Sequence, residues 1–182
     1  MTFHIFKIKY ILKKIIIKYN ILKIKMIIDK NKISQYLDNG VVVLRNIITK
    51  NWINELSIGI EKNFKNPSKY KCVYEKKDSK ELFFDDYCNW QRIDEYKKFF
   101  YESNVAKLAS QLMKSKKVNI FHEHVLIKEP GSSKKTPWHQ DQPYYCVDGK
   151  DNCSLWIPID SVSKEICPEF IIGSHKWNKK FL

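Results

Sequence analysis

At 182 residues the chain is sized for one domain with or without a tail, and its 43% hydrophobic and 14% aromatic content excludes a wholly disordered or collagen-like polymer. No apolar run is long enough to cross a bilayer as a helix, glycine is scarce, and no internal repeat is present. The net charge of +13 is uneven: residues 1–28 hold seven lysines and no acid, and only two of the 33 basic residues are Arg, so nucleic-acid binding is disfavoured.

The basic N-terminal stretch places Ile5, Ile8, Leu12, Ile15, Tyr19, Leu22 and Met26 at alternating steps of three and four, one stripe of a helix. Residues 1–28 are therefore expected either to form a basic amphipathic helix making peripheral contact with an anionic membrane, or to be a non-native extension ahead of Met26 that the fold does not need. Lysines interrupt every candidate signal core, and the stretch lacks the Arg and Ser of a mitochondrial presequence. Residues 29–182 are expected to form the folded domain.

Asp29 is placed to cap a helix running through Leu37, with Asn39-Gly40 as its stop. Val41–Leu44 is a β-branched run suited to a buried strand. Thr49 is an N-cap candidate for a helix carrying Trp52, Leu56 and Ile60. Residues 64–80 are polar enough for a surface loop. The aromatic block from Phe83 to Phe100 is expected to pack a core. Ser103 or Asn104 opens a helix with Val105, Leu108 and Leu112 inward, and strands are expected over Val118–Lys128, Ser154–Ile159 and Glu169–Ile172. Helices followed by short strands give an α+β layout ending in a sandwich or barrel. The five cysteines contain no C-x-x-C pair, so a zinc ribbon or redox motif has no support and idle thiols of a reducing cytoplasm are the expectation.

The chemistry is concentrated in Thr136-Pro137-Trp138-His139-Gln140-Asp141. On an extended chain, residues two apart share a face, so the imidazole of His139 and the carboxylate of Asp141 can converge on one metal ion. A further His would complete the 2-His-1-carboxylate triad of non-haem Fe(II) oxygenases. His122, His124, Leu126 and Lys128 share parity and line one face of their strand. Gln140 points away from the two ligands, as a neighbour of the pocket.

The order His124-Val-Leu-Ile-Lys128-Glu-Pro-Gly131, His139-Gln-Asp141, Pro143-Tyr-Tyr145, Val147-Asp-Gly149, Ser154-Leu-Trp156-Ile-Pro-Ile-Asp160 and Gly173-Ser-His-Lys-Trp177, preceded by Asp38–Arg45, resembles the phytanoyl-CoA dioxygenase (PhyH) family over about residues 27–178. The resemblance implies N-terminal helices packed on a double-stranded β-helix, a jelly roll. It implies Fe(II) held by His139 and Asp141, and 2-oxoglutarate near Lys128, Trp156, His124 and Gln140, with ascorbate as a candidate reductant. The implied reaction is hydroxylation of a small molecule, since related halogenases lack the carboxylate that Asp141 supplies. Family substrates include fatty acyl-CoAs, osmolytes and natural-product scaffolds.

The resemblance also implies a distal His ligand and an Arg for the far carboxylate of 2-oxoglutarate, both beyond the Gly173–Trp177 segment. Here the sequence ends at Leu182, His175 matches a loop position, and no Arg follows Arg92. The expectation is thus a C-terminally truncated oxygenase with an incomplete jelly roll, or half of a split enzyme completed by a complementing C-terminal chain. The alternatives are a degenerate site using His122, His124 or His175 as third ligand, and a non-catalytic binding module.

Overall fold

A computed structural model describes residues 2–6, 27–75, 82–129, 136–146, 148–149 and 151–179. Strand β1 (Thr2–Phe6) precedes helices α1 (Lys30–Asn39) and α2 (Lys50–Lys65). Strands β2 (Cys72–Glu75) and β3 (Leu82–Tyr87) follow, then α3 (Asp94–Glu102), α4 (Val105–Leu112), β4 (Asn119–Lys128) and β5 (Asn152–Trp156). The architecture is α+β.

The helix signals act locally as anticipated. The Asp29 carboxylate accepts from the Asn31 backbone N–H at 2.7 Å, and Gly40 ends α1 in the left-handed region at φ +79°. Thr49 Oγ1 accepts from the Trp52 N–H at 3.4 Å at the start of α2. Leu56 on α2, Tyr96, Phe99 and Phe100 on α3, and Val105, Leu108 and Leu112 on α4 are buried together. A Cβ at Gly59 would lie 2.6 Å from the Tyr96 ring, so glycine sets the close approach of α2 to α3. Gln111 Oε1 accepts from the Ile27 and Ile28 N–H groups at 3.2 and 3.1 Å, fastening the entry to α1 against α4.

The five strands form one antiparallel sheet in the order β2-β3-β4-β1-β5. One face carries Phe84, Glu123, Val125 and Cys153, all buried. By alternation and register, the other face carries Asp85 and Tyr87 on β3, His122, His124 and Lys128 on β4, and Ser154 and Trp156 on β5. This far face carries the candidate site residues His124, Lys128 and Trp156.

Several expectations are corrected. Thr2–Phe6 is a strand between β4 and β5, not the start of a helical stripe; the rest of the stripe lies outside the described residues. Val41–Leu44 is not a strand. Val42 and Leu44 pack on the core while Val43 is 60% exposed, so alternate burial is achieved against the helices without a ladder. Residues 169–172 likewise have no sheet partner, and Phe170, Ile171 and Ile172 are exposed. The expected loop over 64–80 contains the end of α2 and all of β2. The aromatic block supplies β3 and α3 as well as core side chains. Among the described residues, no helix is long and apolar enough to cross a membrane. All five cysteines are free thiols.

Candidate metal centre

His139 and Asp141 lie on a loop, not on the extended strand that the parity argument assumed. Their convergence has a different cause. Asp141 adopts helical backbone angles and opens a 3-10 turn, Gln142–Tyr144, which folds its carboxylate back toward the imidazole. His139 Nε2 stands 3.3 Å from Asp141 Oδ1. The other ring nitrogen, Nδ1, lies 2.8 Å from the Pro137 carbonyl oxygen. A carbonyl can only accept, so Nδ1 donates to it, and Nε2 is the ring nitrogen turned toward the carboxylate. A proton on Nε2 or a metal ion held between the two groups would make that approach favourable.

The carboxylate is itself held. Tyr145 Oη and Ser154 Oγ donate to Asp141 Oδ2 at 3.1 and 3.2 Å. One oxygen is thus fixed by two hydroxyls while the other faces His139, the division of labour seen where outer groups orient a metal ligand. The Tyr145 ring meets Phe121 edge-on at 5.3 Å and His122 at 6.1 Å. It therefore crosses the far face from β4 toward β5. Burial, together with the Asp141 charge, raises the phenol well above its ordinary range and keeps Tyr145 a donor. Asn152 Nδ2 donates to Gln142 Oε1 at 2.9 Å, tying the loop to β5 a second time.

The other anticipated site residues fall into two groups. Trp156 on β5 and His124 on β4 occupy one row of the far face, both in register with Thr2. His124 Nε2 faces Asp85 Oδ1 at 3.4 Å, and its ring meets Tyr87 edge-on. Gln140 is half-buried between the two candidate ligands. Lys128 is not gathered with them. It lies six positions beyond His122 on β4, about 20 Å along the strand at about 3.4 Å per residue, with its ammonium 4.9 Å from the Phe83 ring centroid. Burial lowers its pKa.

His175 is removed as a candidate ligand. Its Nε2 hydrogen-bonds the Leu37 carbonyl at 3.1 Å, at the C-terminus of α1. His122 is packed against Tyr87, Phe121 and Tyr145, and burial lowers its pKa. Among the described residues, no group of three His, Cys, Asp or Glu side chains converges. Ser154 was missed from sequence. Its signal was parity with Trp156 on β5, which places it on the far face.

The chain is thus a mixed α+β domain that places a His-x-Asp pair over one face of an antiparallel sheet. The family model for phytanoyl-CoA dioxygenase (PhyH) matches residues 36–182, and the chain belongs to that family. Comparison with curated proteins gives no match, and neither does comparison with solved structures.

Proposed function

We propose that the chain is an Fe(II)- and 2-oxoglutarate-dependent dioxygenase that hydroxylates a small molecule. The observation that carries this reading is the 3.3 Å approach of His139 Nε2 to Asp141 Oδ1, with each group turned by a hydrogen bond on its other atom. An imidazole nitrogen and a carboxylate oxygen are a donor set that fits ferrous iron. When bound, iron with 2-oxoglutarate supplies the oxidising power for hydroxylation, with succinate and CO₂ as co-products.

The protein's part is positioning. The Pro137 carbonyl fixes the His139 tautomer, and Tyr145 with Ser154 fixes the Asp141 rotamer. Trp156, His124 and Gln140 are the residues we assign to the 2-oxoglutarate side. The jelly roll is taken to be completed by strands that another segment or a complementing chain would supply.

The test is succinate release from purified protein with Fe(II), 2-oxoglutarate, ascorbate and candidate substrates. Turnover that vanishes in Asp141→Ala supports the proposal. Stoichiometric iron binding with no succinate under any condition would favour the second reading, a non-catalytic binding module. The exposed apolar run Phe170–Ile172, suited to partner contact, motivates that alternative.

A further inference from the structure

The sheet edge away from Ser154 is open. β2 ends the strand order β2-β3-β4-β1-β5, and no strand lies beyond it among the described residues. At the other edge, the Asn152 carbonyl of β5 accepts from Tyr36 Oη at 3.4 Å, so α1 covers part of it. Antiparallel neighbours alternate between opposed residues that exchange both backbone bonds and opposed residues that exchange none. One step beyond each end of the β3–β4 register, the Glu129 N–H donates to the Leu82 carbonyl at 2.9 Å and the Cys88 N–H to the Glu123 carbonyl at 3.2 Å. The even-numbered residues of β3 therefore bond to β4. The odd-numbered Phe83 and Asp85 bond to β2, through Tyr74 and Cys72. That parity turns the N–H and C=O of Val73 and Glu75 away from the sheet.

The edge is apolar on both faces. Val73 is 43% exposed and stands in register with Phe84, which the exposed Phe64 of α2 meets edge-on at 5.1 Å. On the opposite face, the exposed Tyr74 stacks on Phe83 at 5.3 Å and the exposed Tyr70 on Tyr87 at 5.0 Å. Edge strands of monomers are guarded by charge, proline or a bulge. Here one charge of each sign, Lys71 and Glu75, stands two residues to either side of Val73.

We infer that β2 pairs antiparallel with β2 of a second copy of this chain, about a two-fold axis at Val73, joining two sheets into one. Outward residues must oppose outward residues, which removes every register that sets Val73 against Cys72 or Tyr74. With Val73 opposite Val73, Lys71 of each copy stands opposite Glu75 of the other, so both charged pairs are complementary. A shift of two residues in either direction sets Val73 against a charge. In the matched register the two Val73 residues exchange both bonds, and each Glu75 N–H reaches the Lys71 carbonyl of the other copy. The Lys71 N–H stays with the Ser68 carbonyl at 3.4 Å. A two-fold contact of this kind consumes the open edge of both copies and closes. It does not depend on the metal-binding reading, because β2 and β5 are opposite edges of the sheet.

Sedimentation equilibrium of the full chain measures the association. The parent is expected as a dimer in equilibrium with monomer. Val73→Pro removes an N–H that β3 does not use, and should sediment as a monomer with the parent's far-UV circular dichroism. Val73→Thr keeps the N–H and the branched side chain, and should stay within about threefold of the parent. Lys71→Glu makes both charged pairs repulsive and should weaken association about tenfold. Adding Glu75→Lys to it should restore association to within about threefold.

A chain that is monomeric at every concentration it tolerates would overturn the inference. Dimerisation unchanged in Val73→Pro would place the contact elsewhere and overturn it too. So would a loss in Lys71→Glu that Glu75→Lys fails to restore, which excludes this register. If Val73→Pro unfolds, the charge exchange decides alone.

Discussion

Removing the two hydroxyls that hold Asp141 should weaken metal binding without unfolding the protein. Tyr145 Oη and Ser154 Oγ share Asp141 Oδ2 at 3.1 and 3.2 Å. A hydrogen bond to a charged acceptor contributes about 1.5–3 kcal/mol when protected from solvent. The Asp141 side chain is 42% exposed, so water replaces much of each lost bond and about 1 kcal/mol per bond is the better figure. Ser154→Ala or Tyr145→Phe alone should weaken Co(II) binding roughly fivefold, and the pair together about thirtyfold. That lies within the range for outer groups that orient metal ligands. Ser154 is exposed, so its substitution should alter unfolding free energy by less than about 0.5 kcal/mol. Isothermal titration of metal-free protein with Co(II), with urea unfolding alongside, gives both numbers. Double-variant affinity within twofold of the parent would refute the argument that Asp141 is pre-oriented for a metal.

Two further outcomes test the scaffold. Glu123 is fully buried, and burial pushes its carboxyl up to about 7 against the opposing N–H groups of Asn89 and Trp90. The native state therefore keeps a proton that the unfolded chain releases above about 4.5, so this stabilisation is full below that pH and is lost as pH rises through about 7. Glu123→Gln should flatten the pH dependence of unfolding by up to about 1.4 kcal/mol per unit between pH 5 and 7; an unchanged slope in urea titrations would contradict the assignment. Gly40→Ala places a Cβ 2.4 Å from His175 Nδ1 at a φ of +79°. It should destabilise by more than the 1–2 kcal/mol of left-handed strain alone, and adding His175→Ala should recover the excess in thermal unfolding.

Much of the scaffold was legible because its signals are local. Asp29 and Thr49 cap the helices their side chains suit, and Leu108 and Leu112 face inward at helical spacing. What failed was non-local. Val41–Leu44 and residues 169–172 have strand composition, but a strand exists only where a neighbour offers a ladder, and composition does not name neighbours. Thr2–Phe6 shows the converse: the first residues of a stretch readable further on as a helical stripe find two strand edges and pair with both. At the site, the pairing of His139 with Asp141 was legible from their spacing, although a turn rather than a pleat brings them together. Lys128 carried a family-like position in sequence but lies far along β4, because one strand can bear residues at both of its ends.

Anaerobic equilibrium dialysis against Fe(II) tests the central claim most directly. The intact chain should retain one ferrous ion, and His139→Ala and Asp141→Ala should each lose it at the same free-metal concentration while keeping the parent's far-UV circular dichroism. Full retention of iron by both folded variants would show that this loop does not hold the metal.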